Sequence, residues 1–213
     1  MKKLNKKGFT LIELLAVITI MGILMLVAIP AVSRTIENSR RDTFMNTAKS
    51  YANAIKNAVA ADELTCGSDS KRLSAMQDGY YYVSFKSDDD SGKDLMEQGG
   101  KSSWGNVEVK GTILIKKGVT NNRNTYEYYV AMIDEVGRGI GTSNASGVLT
   151  RMIPEDKLSR SNVATKDDTN KTGKKYFDTA LTTAPVANNT TVLAKTGNTP
   201  KIDSAPVACS VEM

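Results

Sequence analysis

The segment that most constrains this chain is an apolar run from Phe9 to Val32 that contains a single charge, Glu13, and follows four lysines, Lys2, Lys3, Lys6 and Lys7. The run is 24 residues long. At about 1.5 Å rise per residue it forms a helix of about 36 Å, enough to cross a hydrocarbon core of about 30 Å with some tilt. The upstream lysines hold its N-terminus on the cytoplasmic side. An acidic side chain near mid-bilayer costs about 2.5–3.5 kcal/mol on insertion scales. Glu13 therefore calls for a compensating interaction.

Three readings of the run compete. A cleaved secretory signal has a short apolar core closed by small residues, but here the run is long and no Ala-x-Ala pattern closes it before Pro30. An ordinary signal anchor fits the length and gives Glu13 no reason to be there. A third reading places cleavage before the run, at Gly8-Phe9, so that the leader is lost and the apolar helix is kept.

The residues Lys6-Lys7-Gly8-Phe9-Thr10-Leu11-Ile12-Glu13-Leu14-Leu15 resemble the class III signal peptide of type IV pilins and pseudopilins. The resemblance covers roughly residues 6–60 and includes Gly22 and Pro30, which fall where many pilins place a glycine and a proline. It implies that a prepilin peptidase cuts between Gly8 and Phe9 and methylates the Phe9 amine. Glu13 stands fifth counting from Phe9. The implied partners are the chain itself in a homo- or hetero-polymeric filament, the peptidase, and a membrane-bound assembly machinery. The implied location is a single-pass membrane precursor followed by an extracellular filament.

Elementary electrostatics agrees. A buried carboxylate requires a cation, and the run Phe9–Val32 holds no Lys or Arg. Cleavage after Gly8 creates one, the α-amine of Phe9. That amine reaches its own Glu13 poorly, because it lies at the frayed helix start. The amine of a neighbouring subunit, shifted along a shared helix bundle, reaches it and sets the stagger, much as a buried polar residue sets register in a coiled coil. The competing reading is a glutamate that snorkels to the interface without a partner.

Net charge is +5 and the pI is about 9.1. Removing the four leader lysines from 28 basic residues leaves 24 against 23 acidic ones, so the mature chain is nearly neutral. Bulk charge thus carries no argument for nucleic acid, which stays open as a partner. After the membrane run, about 150 residues remain, enough for one modest domain. The two cysteines, Cys66 and Cys209, are expected to pair in an exported domain. Closing a loop of about 140 residues contributes about 4–5 kcal/mol in the chain-entropy model. Pilins often carry a bridge near the C-terminus, though usually not from the end of the first helix. No spacing suggests a metal site or a cofactor.

Beyond Pro30, which should kink the helix or break its hydrogen bonds locally, the pattern turns amphipathic. Val32, Ile36, Phe44, Ala48, Tyr51, Ala52, Ile55 and Val59 recur at helical spacing. With Gly22 weakening the same stretch, residues 22–30 form a flexible part of the helix. The expected helix runs from Phe9 to about Ala61, with Gly67 beyond its end. Its first half is a membrane or filament core, and its second half presents a stripe to a globular domain. The expected organisation is a leader over 1–8, the helix over 9–62 with its core over 9–32, and a β-rich domain over 63–213.

Strands are expected at Gly79–Phe85, Val107–Ile115 and Thr125–Ile133, with a hairpin through Asn121–Asn124. A fourth is expected at Gly147–Ile153, after a glycine-rich turn at Gly137–Gly141. From about Ser159 the chain reads as loops with short strands around Val192–Ala194 and Val207–Val211. The fold class is α+β: a long N-terminal helix packed on a C-terminal antiparallel sheet.

Weaker signals read as structure. Asp88–Gly92 offers oxygen ligands but departs from the calcium-loop spacing, so it reads as an acidic solvated loop. The glycines of Gly137–Gly141 alternate, unlike a dinucleotide fingerprint. The glycosylation sequons at Asn144, Asn170 and Asn189 carry little weight beside a prokaryotic leader. Trp104 reads equally as a loop contact and as a buried anchor. With no histidine and no recognisable nucleophile or acid–base pair, catalysis is disfavoured. The chain reads as a structural filament subunit. The alternative is a low-abundance minor pilin whose domain binds DNA, a surface or a partner. A plain membrane-anchored surface protein, which never loses its leader, is the third option.

Overall fold

A computed structural model describes residues 8–86, 101–105, 107–134, 138–143, 149–164 and 206–212. The expectations for Asp88–Gly92, for the sequons at Asn144, Asn170 and Asn189 and for Val192–Ala194 lie outside these residues. The chain divides into two compact units, residues 1–39 and 40–213.

Helix α1 (Leu11–Ala60) runs 50 residues through Pro30 as one element. The missing N–H of Pro30 leaves the Leu26 carbonyl without its helical donor, a gap of one bond in the ladder. The C-terminus is closed by Asp62, in the left-handed region at φ 57°. Asp62 N–H donates to Val59 O at 3.2 Å and Glu63 N–H to Ala58 O at 2.9 Å. This is the paired 5→2 and 6→1 geometry of a Schellman motif. Aspartate tolerates that conformation, so the helix stops before Gly67.

The rest of the described residues of the second unit are mainly sheet. Its strands are β1 (Leu64–Cys66), β2 (Lys71–Arg72), β3 (Gly79–Lys86), β4 (Val109–Thr120), β5 (Arg123–Asp134), β6 (Gly139–Ile140), β7 (Thr142–Ser143), β8 (Leu149–Arg151), β9 (Ile153–Pro154), β10 (Val163–Ala164) and β11 (Val207–Val211). Among the described residues nine of them form one sheet in the order β10-β6-β5-β4-β3-β11-β1-β2, with β9 also on β5. The β4–β5 hairpin is longer and tighter than expected. Thr120 pairs with Arg123, so only Asn121 and Asn122 turn the chain, at φ 52° and 59°. Two successive positive φ values define the type I′ turn that suits hairpin twist, and asparagine tolerates them.

The layout is the expected α+β one, a long helix on a largely antiparallel sheet, with one parallel pair: β11 runs antiparallel to β1 but parallel to β3. β1 and β3 point in opposite directions, so a strand between them cannot oppose both. Three other sequence expectations are corrected. The expected glycine turn contributes a strand, because Gly139 and Ile140 pair with β5 and β10. The expected fourth strand is two short ones, β8 and β9. Finally, Val32 and Ile36 are 55% and 48% exposed, and the buried stripe is Phe44, Ala48, Tyr51, Ala52, Ile55 and Ala58.

That stripe packs on one sheet face, against Tyr81, Val83, Phe85, Ile113, Ile115, Val130 and Met132. The Tyr51 and Phe85 rings stack with centroids 3.9 Å apart. Alternation along the strands sends Leu114, Tyr129, Ala131 and Ile133 to the opposite face, where they cluster with Met152. Trp104 is an anchor: its ring lies 5.6 Å from Phe44 and 5.0 Å from the Arg138 guanidinium. Buried Asp134 fixes this corner. It accepts bonds from Ser102 Oγ at 2.9 Å, Arg138 N at 2.9 Å and Arg138 Nε at 2.7 Å.

Candidate functional site

Among the described residues, Gly8, Phe9 and Thr10 precede the first helical residue, Leu11. Large apolar side chains follow with their surfaces open: Phe9 is 90% exposed, Leu26 77% and Val27 75%. Such a contiguous apolar surface is out of place in water. Helix α1 is long and apolar enough to cross a membrane.

Two of its threonine hydroxyls are satisfied within the helix. Thr19 Oγ1 donates to Ala16 O at 2.9 Å and Leu15 O at 3.1 Å, and Thr35 Oγ1 to Ala31 O at 3.1 Å. Folding a hydroxyl back on helix carbonyls removes the penalty of exposing it to an apolar medium.

Glu13 is held the same way. Its Oε2 accepts bonds from Thr10 N and Thr10 Oγ1, both at 2.8 Å, and Glu13 N–H donates to Thr10 Oγ1 at 3.3 Å. Thr10 and Glu13 thus form a reciprocal capping box at the helix start. The signal for it stands in the sequence as Thr-x-x-Glu at the head of the apolar run, but reasoning about charge alone passes over it. The box leaves no cation beside Glu13 among the described residues. It holds one carboxylate oxygen near the helix start and leaves the other, Oε1, without a hydrogen-bond partner among those residues.

Gly22 has nothing within 4 Å of where a Cβ would stand, so no packing inside this chain requires glycine there. In a helix bundle a small residue permits close backbone approach. Cys66 and Cys209 are bonded to each other, 143 residues apart in sequence and directly opposite in the β1–β11 ladder. The bridge ties the end of the chain beside the end of α1, where Glu212 N–H also donates to Glu63 O at 2.9 Å.

Among the described residues no group of three or more His, Cys, Asp or Glu is placed to hold a metal ion.

Residues 3–29 match the family model of the prokaryotic N-terminal methylation motif, the signature of type IV pilins. No curated protein and no solved structure matches the chain significantly.

Proposed function

We propose that this chain is the precursor of a filament subunit of the type IV pilus or pseudopilus kind, built on the pilin signature it carries. In this reading residues 1–8 are a leader, 9–62 the polymerising helix and 63–213 the globular part. A prepilin peptidase removes the leader between Gly8 and Phe9 and methylates Phe9. The processed subunit waits in the membrane as a single-pass protein until an assembly machinery extracts it into a surface filament.

The observation that carries the reading is the capped Glu13 at the head of an exposed apolar helix. Lipid covers such a helix before assembly, and sister helices cover it afterwards. The capping box aligns the carboxylate without neutralising it. A methylated Phe9 amine from the neighbouring subunit then supplies the missing cation, and the pair sets the stagger between subunits. The stretch between Gly22 and Pro30 accommodates the local rearrangement of packing.

A series of variants separates capping from pairing. Glu13→Gln keeps an acceptor for the capping box but loses the charge. It should be inserted and processed normally, yet be absent from sheared filaments. Thr10→Val weakens the cap and keeps the charge, and should still polymerise. Gly8→Leu should keep the leader and migrate as a heavier band. Normal filaments from Glu13→Gln would sink the pairing, and a wild-type subunit that begins at Met1 would sink the reading as a whole.

A further inference from the structure

A cleft of about 470 Å³ opens on the domain between the last turns of α1, the β5 strand and the turn after β9. Its origin is local. β9 pairs with β5 only at Tyr129 and Val130, and Pro154 then leads into the 3-10 turn Glu155–Lys157. Proline has no N–H to extend a ladder, so the flank of Tyr126–Tyr128 has no strand on that side among the described residues. The volume lies within the range of small-molecule sites, about 300–1,000 Å³.

The lining combines aromatic surface with polar groups held in place. Tyr126 and Tyr128, both partly exposed, and the ring of Pro154 supply the former, with buried Tyr129 behind them. Lys56 Nζ contacts Glu155 Oε2 at 2.6 Å and lies 5.5 Å from the Tyr128 ring centroid. Tyr129 OH donates to Glu127 Oε2 at 2.6 Å, while Lys116 Nζ binds the other oxygen at 2.9 Å. Asp156 has Lys157 at 3.4 Å. The Tyr128 hydroxyl donates to none of the described residues, and burial pushes its pKa up to about 12, so it stays a neutral donor.

Charge decides the ligand class. Each charged group in the lining already has an opposite charge beside it, so the lining presents an ionic ligand with no unmatched counter-charge. What remains available is ring surface, a phenol donor and carboxylate oxygens in fixed orientation. A ligand that matches carries an apolar C–H face and several neutral hydroxyls. We propose that this cleft is a binding site for a neutral saccharide, with Tyr128 as its central contact. The proposal does not rest on the filament reading, since an unprocessed chain should bind equally well.

The test uses the full chain in a detergent without a sugar headgroup, with its tyrosine rings isotope-labelled. The probes are maltose, lactose, cellobiose and diacetylchitobiose, with tetralysine and tetragalacturonate as charged comparators. At least one neutral disaccharide should bind with a dissociation constant near about 1 mM. Binding should change little with salt, because no ion pair is formed. The ring signals of Tyr126 and Tyr128 should shift while those of Tyr80 and Tyr82 stay in place. Tyr128→Ala should abolish the binding, and Tyr128→Phe, which keeps the ring and the fold, should weaken it several-fold. The proposal is overturned if no neutral disaccharide binds at about 20-fold that concentration, or if the shifts fall on Tyr80 and Tyr82. It is also overturned if Tyr128→Phe binds as wild type, or if a charged comparator binds the cleft more tightly.

Discussion

Phe85 stands directly across the β3–β4 ladder from Gly111, and a Cβ at position 111 would lie 2.4 Å from the Phe85 Cζ and 2.7 Å from the Ala131 carbonyl oxygen. The glycine makes room for the ring, and the ring stacks on Tyr51 from the helix. One missing side chain in the sheet thus admits the aromatic pair that docks the second half of α1.

Gly111→Ala should therefore destabilise the domain by about 1–3 kcal/mol, the usual range for overpacking. Thermal unfolding of the full chain in detergent measures it. Phe85→Leu in the same chain should recover part of the loss, since the two effects meet at one contact. Additive losses would contradict this account.

Lys117 is buried at 3% exposure and donates to Leu73 O at 3.0 Å, Ser74 O at 2.7 Å and Met76 O. One ammonium thus satisfies three carbonyls of the 3-10 turn Leu73–Ala75 and the residue after it. Lys117→Met keeps the aliphatic stem and orphans the Met76 carbonyl, while Leu73 O keeps the Met76 N–H and Ser74 O keeps Asn124 Nδ2, so about 1–3 kcal/mol should be lost. An unchanged melting temperature would show that water replaces the ammonium.

The bond between Cys66 and Cys209 should appear in non-reducing peptide mapping as a single linked species. Its loss in the double Cys→Ala variant should cost about 5 kcal/mol for a loop of 143 residues in the chain-entropy model. β11 is held mainly by ladder bonds to β1 and β3 and is only half-buried. Its amides should therefore lose hydrogen-exchange protection first.

Alkaline titration should separate the tyrosines. Burial raises the phenols of Tyr81, Tyr126, Tyr128 and Tyr129 above the ordinary value, with Tyr128 at about 12. A raised phenol pKa means that the folded chain keeps a proton the unfolded chain has released. This contribution is complete below about pH 10 and is lost as the pH climbs towards 12. Burial lowers the Lys117 ammonium, which acts in the opposite sense below the ordinary lysine value of about 10.4. Stability should accordingly decline above about pH 10.4, and ultraviolet absorbance should show a late-titrating group that Tyr128→Phe removes.

Local pattern determined much of this protein. The membrane-length run, the helical stripe from Phe44 to Ile55, the strands around Tyr81, Ile113 and Val130, and the hairpin at Asn121-Asn122 all follow from periodicity and turn chemistry, which neighbouring residues set among themselves. Glu13 was legible as an anomaly of charge. Its bond to Thr10 was equally local, and needed only attention to the spacing of three. Tertiary structure alone decided the rest. Two- and three-residue strands such as β1, β2 and β10 have no period to read and exist because a longer partner holds them. The place of β11 between β1 and β3, the three carbonyls around Lys117 and the cleft left where Pro154 ends a ladder depend on residues far apart in sequence. Their pairing is chosen by burial and hydrogen-bond satisfaction across the whole sheet, and no short window of sequence contains both sides of that choice.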